Sequence, residues 1–473
     1  MALQFLRRGK IVTLGSFEPD QTLLDFLRLD EKSKGTKEGC NEGDCGACTV
    51  VLGRPQNGAM RYQAVNACIL LLGQIHGAEL ITVEDLSEGG KLHAVQQAMV
   101  EAHASQCGFC TPGFVMSLFA LGHENQKPTR EDIVTKIAGN LCRCTGYRPI
   151  VDAALKACNT MQDRWTTQSA ATAKLLEPLG AEDLFVSTGE NFFAAPASAE
   201  SLATLCQKYP AARIVSGATD VGLWITKQFR PLKQIIWTGR AKGFANVAAN
   251  GDKITIGGGA TYADAQTVLA HHFPDMGDVL TRLGSAQVRA SGTIGGNIAN
   301  GSPIGDMPPM LIALNAKLHL RLGNETRSLP LEDFFIAYGK QDRAAGELVW
   351  AIDVPKLKPD QIFKAYKISK RFDQDISAVM AAFLFTLKGN RIETARIAFG
   401  GMAATPKRAS LAEQALMGKT LTEALSVSLI EYTPIDDMRA SAAYRFETAN
   451  ALLRKALLEA GGMSPSQTRV LSA

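Results

Sequence analysis

Apolar and polar residues alternate through much of the first 80 residues, and one stretch instead has helical spacing. The opening "ALQFLRRGKIVTLG" alternates around the turn-like "RRGK", which predicts a β-hairpin. In "DQTLLDFLRLDEK" the apolar residues recur with a helical period, and Asp20 is the predicted N-cap. Strand-like segments "CTVVLG" and "YQAVNACILLLG" follow. The pattern therefore predicts a small sheet with one helix laid across it.

From Leu92 the pattern becomes helical. Four segments have this character: "KLHAVQQAMVEAH", "TPGFVMSLFALGH", "TREDIVTKIAGNL" and "YRPIVDAALKACNTM". Thr129 and Asp132 match a capping box, and Pro112 suits the first turn of a helix, where its missing N–H is not needed. We therefore predict a four-helix unit ending near Met161, followed by the polar, alanine-rich "TTQSAATA" as a linker.

Strands joined by glycine-rich segments dominate from about residue 185. A last region begins near Gln361 with "FKAYKISK", "AFLFTL" and the turn "KGNRI", and closes with the helical "AYRFETANALLRKALLEA". The chain is thus predicted to be a multidomain α+β protein. Its expected parts are residues 1–85, 86–162, a linker at 163–184, residues 185–358 and residues 359–473.

Composition narrows the class of protein. The 473 residues are 46% hydrophobic and 20% charged with a net charge of +4, which is typical of a globular chain and favours neither nucleic acid nor a membrane surface as a partner. No apolar run reaches the roughly 18 residues of a membrane span. Basic residues interrupt the apolar start, so we expect a cytoplasmic protein whose ten cysteines are reduced and available as ligands.

The first candidate metal site is the stretch "EGCNEGDCGACTV". It spaces Cys40, Cys45 and Cys48 as C-x4-C-x2-C, which suits a plant-type [2Fe–2S] loop, and Cys68 can supply a fourth thiolate. The interspersed glycines fit this interpretation, because backbone that wraps a cluster needs positive φ angles. The alternative is a structural zinc site with four thiolates, but zinc knuckles pair their cysteines two and two.

A second candidate site comprises "QCGFCTPGF" and "NLCRCTGYRP", with Cys107, Cys110, Cys142 and Cys144. Its two-plus-two spacing also resembles zinc, so by itself it is ambiguous. Both pairs precede predicted helices, whose positive ends would offset the negative charge of a four-thiolate [2Fe–2S] cluster. Arg143 and Arg148 would add to this, or else are solvated surface charges. The remaining cysteines, Cys158 and Cys206, are predicted core residues.

Two glycine-rich loops, "IVSGATDVGL" and "SGTIGGNIANGSPIGD", are candidates for binding a pyrophosphate. Such loops expose backbone N–H groups that can surround an anion. Neither has the G-x-G-x-x-G fingerprint that opens a helix in a Rossmann domain, and glycine turns are common, so each loop alone is weak evidence. The similar "TIGGGATYADA" is predicted to be a strand-to-helix turn capped by Thr261.

The two cysteine motifs together resemble the paired [2Fe–2S] domains of the xanthine dehydrogenase family of molybdenum hydroxylases. This resemblance covers the N-terminal third of the chain and implies a β-grasp ferredoxin domain followed by a four-helix [2Fe–2S] domain. It assigns one cluster to Cys40, Cys45, Cys48 and Cys68 and the other to Cys107, Cys110, Cys142 and Cys144. It also implies that the second cluster lies nearest a molybdopterin, which Gln106 would contact.

The glycine-rich loops resemble the FAD-binding domain of the same family, and a C-terminal α+β flavoprotein domain is implied after it. The resemblance places Ser302 and Asp306 toward the flavin and Lys367 close to the isoalloxazine. The residues that it places around the pyrophosphate are Ile214, Val215, Ser216, Gly217, Ala218, Thr219, Asp220 and Val221 in the first loop, and Thr293, Gly295, Gly296 and Asn297 in the second.

The resemblance implies an electron-transfer subunit of an NAD-dependent oxidoreductase. Electrons would pass from a molybdopterin centre on a large partner subunit through two [2Fe–2S] clusters to FAD and then to NAD+, in the oxidation of xanthine or hypoxanthine to urate, within an α2β2 assembly. One alternative is the same role for another molybdenum hydroxylase that acts on an aldehyde or an N-heterocycle. A second alternative is a zinc-binding structural scaffold without redox function.

Overall fold

The computed structural model describes residues 2–124 and 127–468, which form two compact units. The first unit contains the chain up to Phe244 together with Gly284–Thr293, and the second contains Ala245–Leu283 and the chain from Ile294 onward. Residue 1 of the first predicted domain, residues 125–126 of the second and residues 469–473 of the last lie outside the described residues.

The first unit begins with a five-stranded sheet in the order β2-β1-β5-β3-β4. Its strands are β1 Leu3–Arg7, β2 Lys10–Leu14, β3 Thr49–Gln56, β4 Ala59–Asn66 and β5 Glu79–Ile81. The predicted hairpin is confirmed, since β1 and β2 pair antiparallel, and β1 pairs parallel with β5. The short helix Leu23–Asp25, continued by a π-helical turn at Phe26–Asp30, crosses the sheet.

The predicted N-cap of this crossing helix is wrong by two residues. Thr22, not Asp20, caps it by accepting a hydrogen bond from the backbone N–H of Asp25 at 3.1 Å. Asp20 instead accepts the N–H of Leu232 at 2.9 Å, a partner more than 200 residues away. A tertiary contact has therefore taken the carboxylate that local sequence assigned to capping.

The four helices predicted after Leu92 are confirmed. They are Ala94–Glu101, Thr111–Glu124, Arg130–Ile137 and Arg148–Ala157. Thr129 accepts the N–H of Asp132 at 3.2 Å, as the capping box predicts. Cys158 and Cys206 are fully buried, as expected of core residues.

The segment predicted as a linker contains two short helices, Arg164–Thr167 and Ser169–Leu176. It packs against the rest of the first unit: Trp165 is only 5% exposed, and Ser169 Oγ accepts the N–H of Met60 at 2.8 Å.

A second sheet in the order β6-β7-β9-β8 completes the first unit. Its strands are β6 Leu184–Thr188, β7 Asn191–Ala195, β8 Arg213–Val215 and β9 Gln234–Trp237, with the helices Ala199–Lys208, Val221–Thr226 and Ala286–Ser291.

The second unit contains a five-stranded antiparallel sheet in the order β10-β11-β16-β12-β13 and a small β14-β15 pair. The strands are β10 Val247–Asn250, β11 Lys253–Gly257, β12 Lys317–Leu322, β13 Glu325–Pro330, β14 Phe335–Ala337, β15 Lys340–Gln341 and β16 Leu348–Pro355. The helices are Tyr262–His272, Pro274–Arg282, Ile294–Asn300 and Met307–Ala313. Thr261 caps the first of them by accepting the N–H of Asp264 at 3.1 Å, as predicted.

A four-stranded antiparallel sheet and helices complete the second unit, which confirms the α+β class. The strands are β17 Gln361–Ile368, β18 Val379–Lys388, β19 Arg391–Gly400 and β20 Lys407–Arg408, and the helices are Ser410–Leu416, Leu421–Ala424, Ala442–Ala460 and Pro465–Thr468. Throughout residues 2–124 and 127–468, the helices lack the length and apolar character needed to cross a bilayer.

Candidate cluster and flavin sites

In the structure the four cysteines of the first site form two pairs, although the described residues contain no group of three or more His, Cys, Asp or Glu side chains arranged to hold a metal ion. Cys48 Sγ and Cys68 Sγ lie 3.2 Å apart. Cys40 and Cys45 each donate a backbone N–H to the sulfur of the other, at 3.4 and 3.3 Å. Two thiol pairs match a [2Fe–2S] cluster, in which each iron takes two cysteines.

The loop that carries Cys40 and Cys45 can turn back on itself because Gly43 and Gly46 have φ angles of +78° and +69°. Within the Cys40–Cys45 pair, a hydrogen bond from the Cys45 thiol is the main cause that lowers the pKa of Cys40 to about 5. The same bond raises the pKa of Cys45. One sulfur of this pair is therefore ready to act as a thiolate, and metal binding would displace the proton from the other.

The four cysteines of the second site also form two pairs, Cys107 with Cys144 and Cys110 with Cys142. Burial and the bond to Cys142 raise the pKa of Cys110 to about 12. Burial opposes ionisation of Cys142, but hydrogen bonds from the hydroxyl and N–H of Thr145 and from another N–H outweigh it and lower its pKa. These four thiols could therefore also bind two irons, with two thiols to each iron.

The surroundings of the second site match the prediction only in part. Cys110 directly precedes the helix Thr111–Glu124, whereas Cys144 lies four residues before the helix Arg148–Ala157. Arg148 is 84% exposed and lies 3.8 Å from Asp152, so it is a solvated surface charge. Gln106 donates its side-chain N–H to the carbonyl of Cys144 at 3.0 Å.

The two cysteine sites are joined by hydrogen bonds that sequence reasoning missed. Leu141, next to Cys142, donates its N–H to the carbonyl of Cys45 at 3.0 Å. Asn140 donates its amide to the carbonyl of Gly46 at 3.1 Å. The spacing of the cysteines gave no sign of this contact, although Asn140 lies inside the quoted motif.

The side chain of Gln287 forms the centre of this junction. Its buried amide N–H2 group lies 3.1 Å from Thr49 Oγ1, 3.1 Å from Asn140 Oδ1 and 3.2 Å from Ser117 Oγ. Thr49 follows the ligand candidate Cys48 directly in the sequence. One side chain from the region predicted as flavin-binding thus contacts both cysteine domains, and no sequence motif marks it.

The first predicted pyrophosphate loop lies in the first unit, and so does Thr293 of the second loop. The first loop follows β8 and leads into the helix Val221–Thr226, with Ala218 at φ +58°. A Cβ on Gly217 would come within 2.0 Å of the carbonyl oxygen of Ser291. The carbonyl of Ser216 accepts N–H groups from the side chains of Gln74 and Trp237, each at 3.0 Å. The loop is therefore a tightly bent backbone segment that requires glycine.

The remaining residues of the second predicted loop lie in the second unit, around the helix Ile294–Asn300. A Cβ on Gly295 would come within 2.3 Å of the carbonyl oxygen of Gly258, so only glycine fits. The amide oxygen Oδ1 of Asn297 is buried and has no hydrogen-bond partner among the described residues. A buried amide without a partner is costly, so this side chain fits a bound polar group.

The structure brings Asp306 and Lys367 together in the second unit. Lys367 Nζ lies 2.6 Å from Asp306 Oδ2 and 2.9 Å from Ser377 Oγ, and Ser377 donates to Asp306 Oδ1 at 2.5 Å. All three side chains are buried. Sequence reasoning named Asp306 and Lys367 separately but missed Ser377, which completes the network. Ser302, by contrast, accepts the N–H of Ile304 at 3.4 Å within its own turn.

Four protein-family models match the chain. They are a 2Fe-2S iron-sulfur cluster binding domain at residues 9–72, a [2Fe-2S] binding domain at 82–155, an FAD binding domain in molybdopterin dehydrogenase at 188–357, and a CO dehydrogenase flavoprotein C-terminal domain at 364–460. The first two contain all eight paired cysteines. The chain therefore carries two [2Fe–2S] domains and a flavin-binding domain.

Similar curated proteins include the xanthine dehydrogenase of Drosophila pseudoobscura pseudoobscura, which is 32% identical over 96% of this chain and 39% of its own length. The xanthine dehydrogenase of Oryza sativa subsp. japonica is 31% identical over 84% of this chain and 35% of its own length. Aldehyde oxidase 2 of Rattus norvegicus is 29% identical over 88% and 35%. The chain thus spans between one third and two fifths of the length of these relatives.

Solved structures also resemble the chain. A Cu,Mo-CO dehydrogenase superposes with a TM-score of 0.53 at 25% identity, covering 57% of this chain and 97% of the other. Quinoline 2-oxidoreductase from Pseudomonas putida 86 superposes with a TM-score of 0.52 at 23% identity, covering 57% and 95%, a level of identity that supports the fold alone.

Proposed function

We propose that this chain, which belongs to the molybdenum hydroxylase family as its iron–sulfur and FAD subunit, is the small subunit of a xanthine dehydrogenase. Electrons would enter from a molybdopterin centre on a large partner subunit and leave on NAD+, as xanthine or hypoxanthine is oxidised to urate. The observation that carries the electron-transfer role is the arrangement of eight cysteines as four pairs in two adjoining sites.

Each cysteine set would hold one cluster through two thiol pairs. We assign Cys40, Cys45, Cys48 and Cys68 to the first cluster and Cys107, Cys110, Cys142 and Cys144 to the second. When bound, the clusters would supply one-electron steps and FAD the conversion to two-electron hydride transfer. The hydrogen bond from Leu141 to the carbonyl of Cys45 would keep the two loops at a fixed spacing.

The flavin would be held by the two glycine-rich loops. We assign the pyrophosphate to the backbone of residues 214–221 and 293–297, where Gly217 and Gly295 leave no room for a side chain. Asn297 Oδ1, which has no partner among the described residues, would accept a hydrogen bond from the bound cofactor. Lys367, held in place by Asp306 and Ser377, would present its ammonium group toward the isoalloxazine.

The proposed partner and substrate are supported by similarity rather than by the geometry of the cysteine and flavin sites. Xanthine dehydrogenases are among the similar proteins at 31–32% identity, which supports a purine substrate. NAD+ as acceptor and an α2β2 assembly belong to the proposal because the resemblance of the cysteine motifs and glycine-rich loops implies them. The aldehyde oxidase at 29% identity favours a second candidate, the same subunit serving a hydroxylase of aldehydes or N-heterocycles. The substrate pocket would belong to the partner in either case.

The test is to purify the chain with its native partner and measure iron, zinc, flavin and the visible spectrum. We expect four irons and one FAD per chain and reduction of NAD+ when xanthine is added. Oxidation of an aldehyde or N-heterocycle but not of xanthine would favour the second candidate. A colourless complex that contains zinc and little iron would refute electron transfer and support a structural scaffold.

A further inference from the structure

A short helix lies between the first predicted pyrophosphate loop, here called the flavin loop, and the loop that carries Cys40 and Cys45. Both loops lie in the first unit. The helix Val221–Thr226 begins where the flavin loop ends. A Cβ on Gly222 would come within 2.8 Å of the carbonyl oxygen of Ile69, the residue that follows Cys68. A Cβ on Gly43, between Cys40 and Cys45, would come within 2.5 Å of Ile69 Cδ1. Ile69 therefore fills the space between the helix and the cysteine loop.

Lys227 makes a second contact at the far end of this helix. Its Nζ donates to the carbonyl oxygen of Cys40 at 2.5 Å and lies 3.5 Å from Glu42 Oε2. The side chains of Lys227 and Glu42 are 41% and 42% exposed. A positive charge is thus anchored on the backbone of a cysteine that is a proposed iron ligand.

A charged group next to an iron–sulfur cluster changes the reduction potential of that cluster. Reduction adds one electron, so a nearby cation favours the reduced form and a nearby anion disfavours it. Net charge, hydrogen bonds and solvent exposure are the factors by which proteins set the potentials of iron–sulfur clusters. Because Lys227 is partly exposed, its influence should be modest and should weaken as salt is added.

We propose that Lys227 is a positioning residue that raises the reduction potential of the first cluster, acting through Cys40 from the helix that follows the flavin loop. The inference rests on the proposed function and extends it to the control of one electron-transfer step. Glu42 opposes Lys227, because its carboxylate partly neutralises the ammonium group.

The test is a redox titration of the assembled complex, with the reduced clusters followed by electron paramagnetic resonance. In Lys227→Gln we expect the ratio of reduced to oxidised first cluster, at the wild-type midpoint, to fall about threefold to tenfold; tenfold corresponds to about 59 mV for one electron. Lys227→Arg should stay near wild type because the charge is kept. Glu42→Gln should shift the ratio in the opposite direction.

Lys233→Gln is the matched control, since Lys233 is an exposed lysine six residues further along the chain. The second cluster is an internal control and should titrate unchanged in every variant. An unshifted first cluster in Lys227→Gln, or an equal shift in Lys233→Gln, would refute the inference and leave the proposed function intact. A wild-type complex without any iron–sulfur signal would refute both.

Discussion

The two cysteine sites share one arrangement of sulfurs but differ in their exposure to solvent. Cys48 and Cys68, in the first site, are 2% and 1% exposed and belong to a hydrophobic core. Cys107 and Cys144, in the second site, are exposed at the surface of the helical domain. The apolar side chain of Phe109, between Cys107 and Cys110, is 48% exposed. Each site therefore has one half-buried pair of cysteines, and the sites differ in the other pair, which is in a core in the first site and at the surface in the second.

This difference suggests different tasks for the two proposed clusters. A surface site can exchange electrons with a partner subunit, whereas a buried site exchanges them within its own chain. The hydrogen bond between Leu141 and the Cys45 carbonyl joins the two sites directly. In the proposed function, electrons would enter at the exposed site and pass to the buried one.

The strongest test of the comparison is to remove one ligand from each site. Cys68→Ser and Cys144→Ser should each lose about half of the bound iron. Only Cys68→Ser should also lower the melting temperature strongly, because its thiol and cluster are part of the core and metal binding there is coupled to folding. Iron analysis and thermal unfolding measured by circular dichroism check this.

Cys206→Ser is the control for the cysteine variants, since Cys206 is buried away from both sites in the helix Ala199–Lys208. It should retain all of the iron and lose a little stability. Equal loss of stability in Cys68→Ser and Cys144→Ser would contradict the distinction between a core site and a surface site.

A substitution of Lys367, which we propose lies near the flavin, should leave both cysteine sites unchanged. Lys367→Ala removes the cation from the buried Asp306 and Ser377, and an uncompensated buried charge typically costs about 3–5 kcal/mol. We expect weaker flavin retention or slower NAD+ reduction, while the resonance signals of both clusters persist. Flavin content is measured from absorbance and the clusters from their resonance spectra.

Lys364→Ala is the matched control, since Lys364 lies on the same strand but pairs with Glu459 and Asp275 instead. Full flavin content and normal NADH formation in Lys367→Ala would contradict the role assigned to this lysine. Loss of either cluster signal would show that the flavin end and the cysteine sites are not independent.

The junction between the two sites can be weakened without removing a ligand. Gln287→Ala deletes the amide that Thr49, Ser117 and Asn140 share. Ser117 still donates to Asn140 and Asn140 to Thr49, so we expect a loss of about 0.5–1.5 kcal/mol for each hydrogen bond removed. We expect both clusters to assemble, with altered resonance line shapes at both sites because their spacing becomes less uniform. Gln97→Ala, which changes an exposed glutamine of the helical domain, should have no such effect. Unaltered line shapes in Gln287→Ala would argue against a junction role.

The sequence predicted those parts of the fold that depend on interactions between residues close together in the chain. The hairpin, the four helices and the capping boxes at Thr129 and Thr261 follow from periodicity and side-chain caps, which operate over a few residues. The cysteine spacing likewise predicted two sites, because a cluster loop needs its ligands close together in the chain, and the structure pairs these cysteines. The pairing of Cys48 with Cys68 extends this to a ligand 20 residues away.

Contacts between distant segments could not be predicted in this way. Asp20 left its predicted capping role for Leu232, and Gln287 meets residues more than 140 positions away. Ser377 completes the Lys367 network although nothing in its neighbourhood marks it. Such contacts depend on how whole elements pack, and a single sequence read along its length contains no signal for them.

Two carboxyl groups, Glu79 of the ferredoxin domain and Asp163 at the start of the linker, have opposite pH responses. Burial raises the pKa of Glu79, in the ferredoxin sheet, despite hydrogen bonds from Trp165 and Tyr62. Burial also disfavours the charge of Asp163, but hydrogen bonds from His123 and His93 of the helical domain outweigh it and lower its pKa. Charged Glu79 therefore weakens the fold, and charged Asp163 strengthens it.

The smallest predicted effects follow from this contrast. Asp163→Asn should lower the free energy of unfolding by about 1 kcal/mol at pH 7. The loss should shrink as the pH falls from the ordinary pKa of an aspartate toward the lowered pKa of Asp163, because wild-type Asp163 loses its contribution over that range. Glu79→Gln should stabilise the chain at pH 7 and be neutral in acid, because the raised pKa penalises only the charged form. Denaturant unfolding at several pH values measures both. A destabilised Glu79→Gln at pH 7 would mean that its bonds to Tyr62 and Trp165 outweigh the cost of burying its charge.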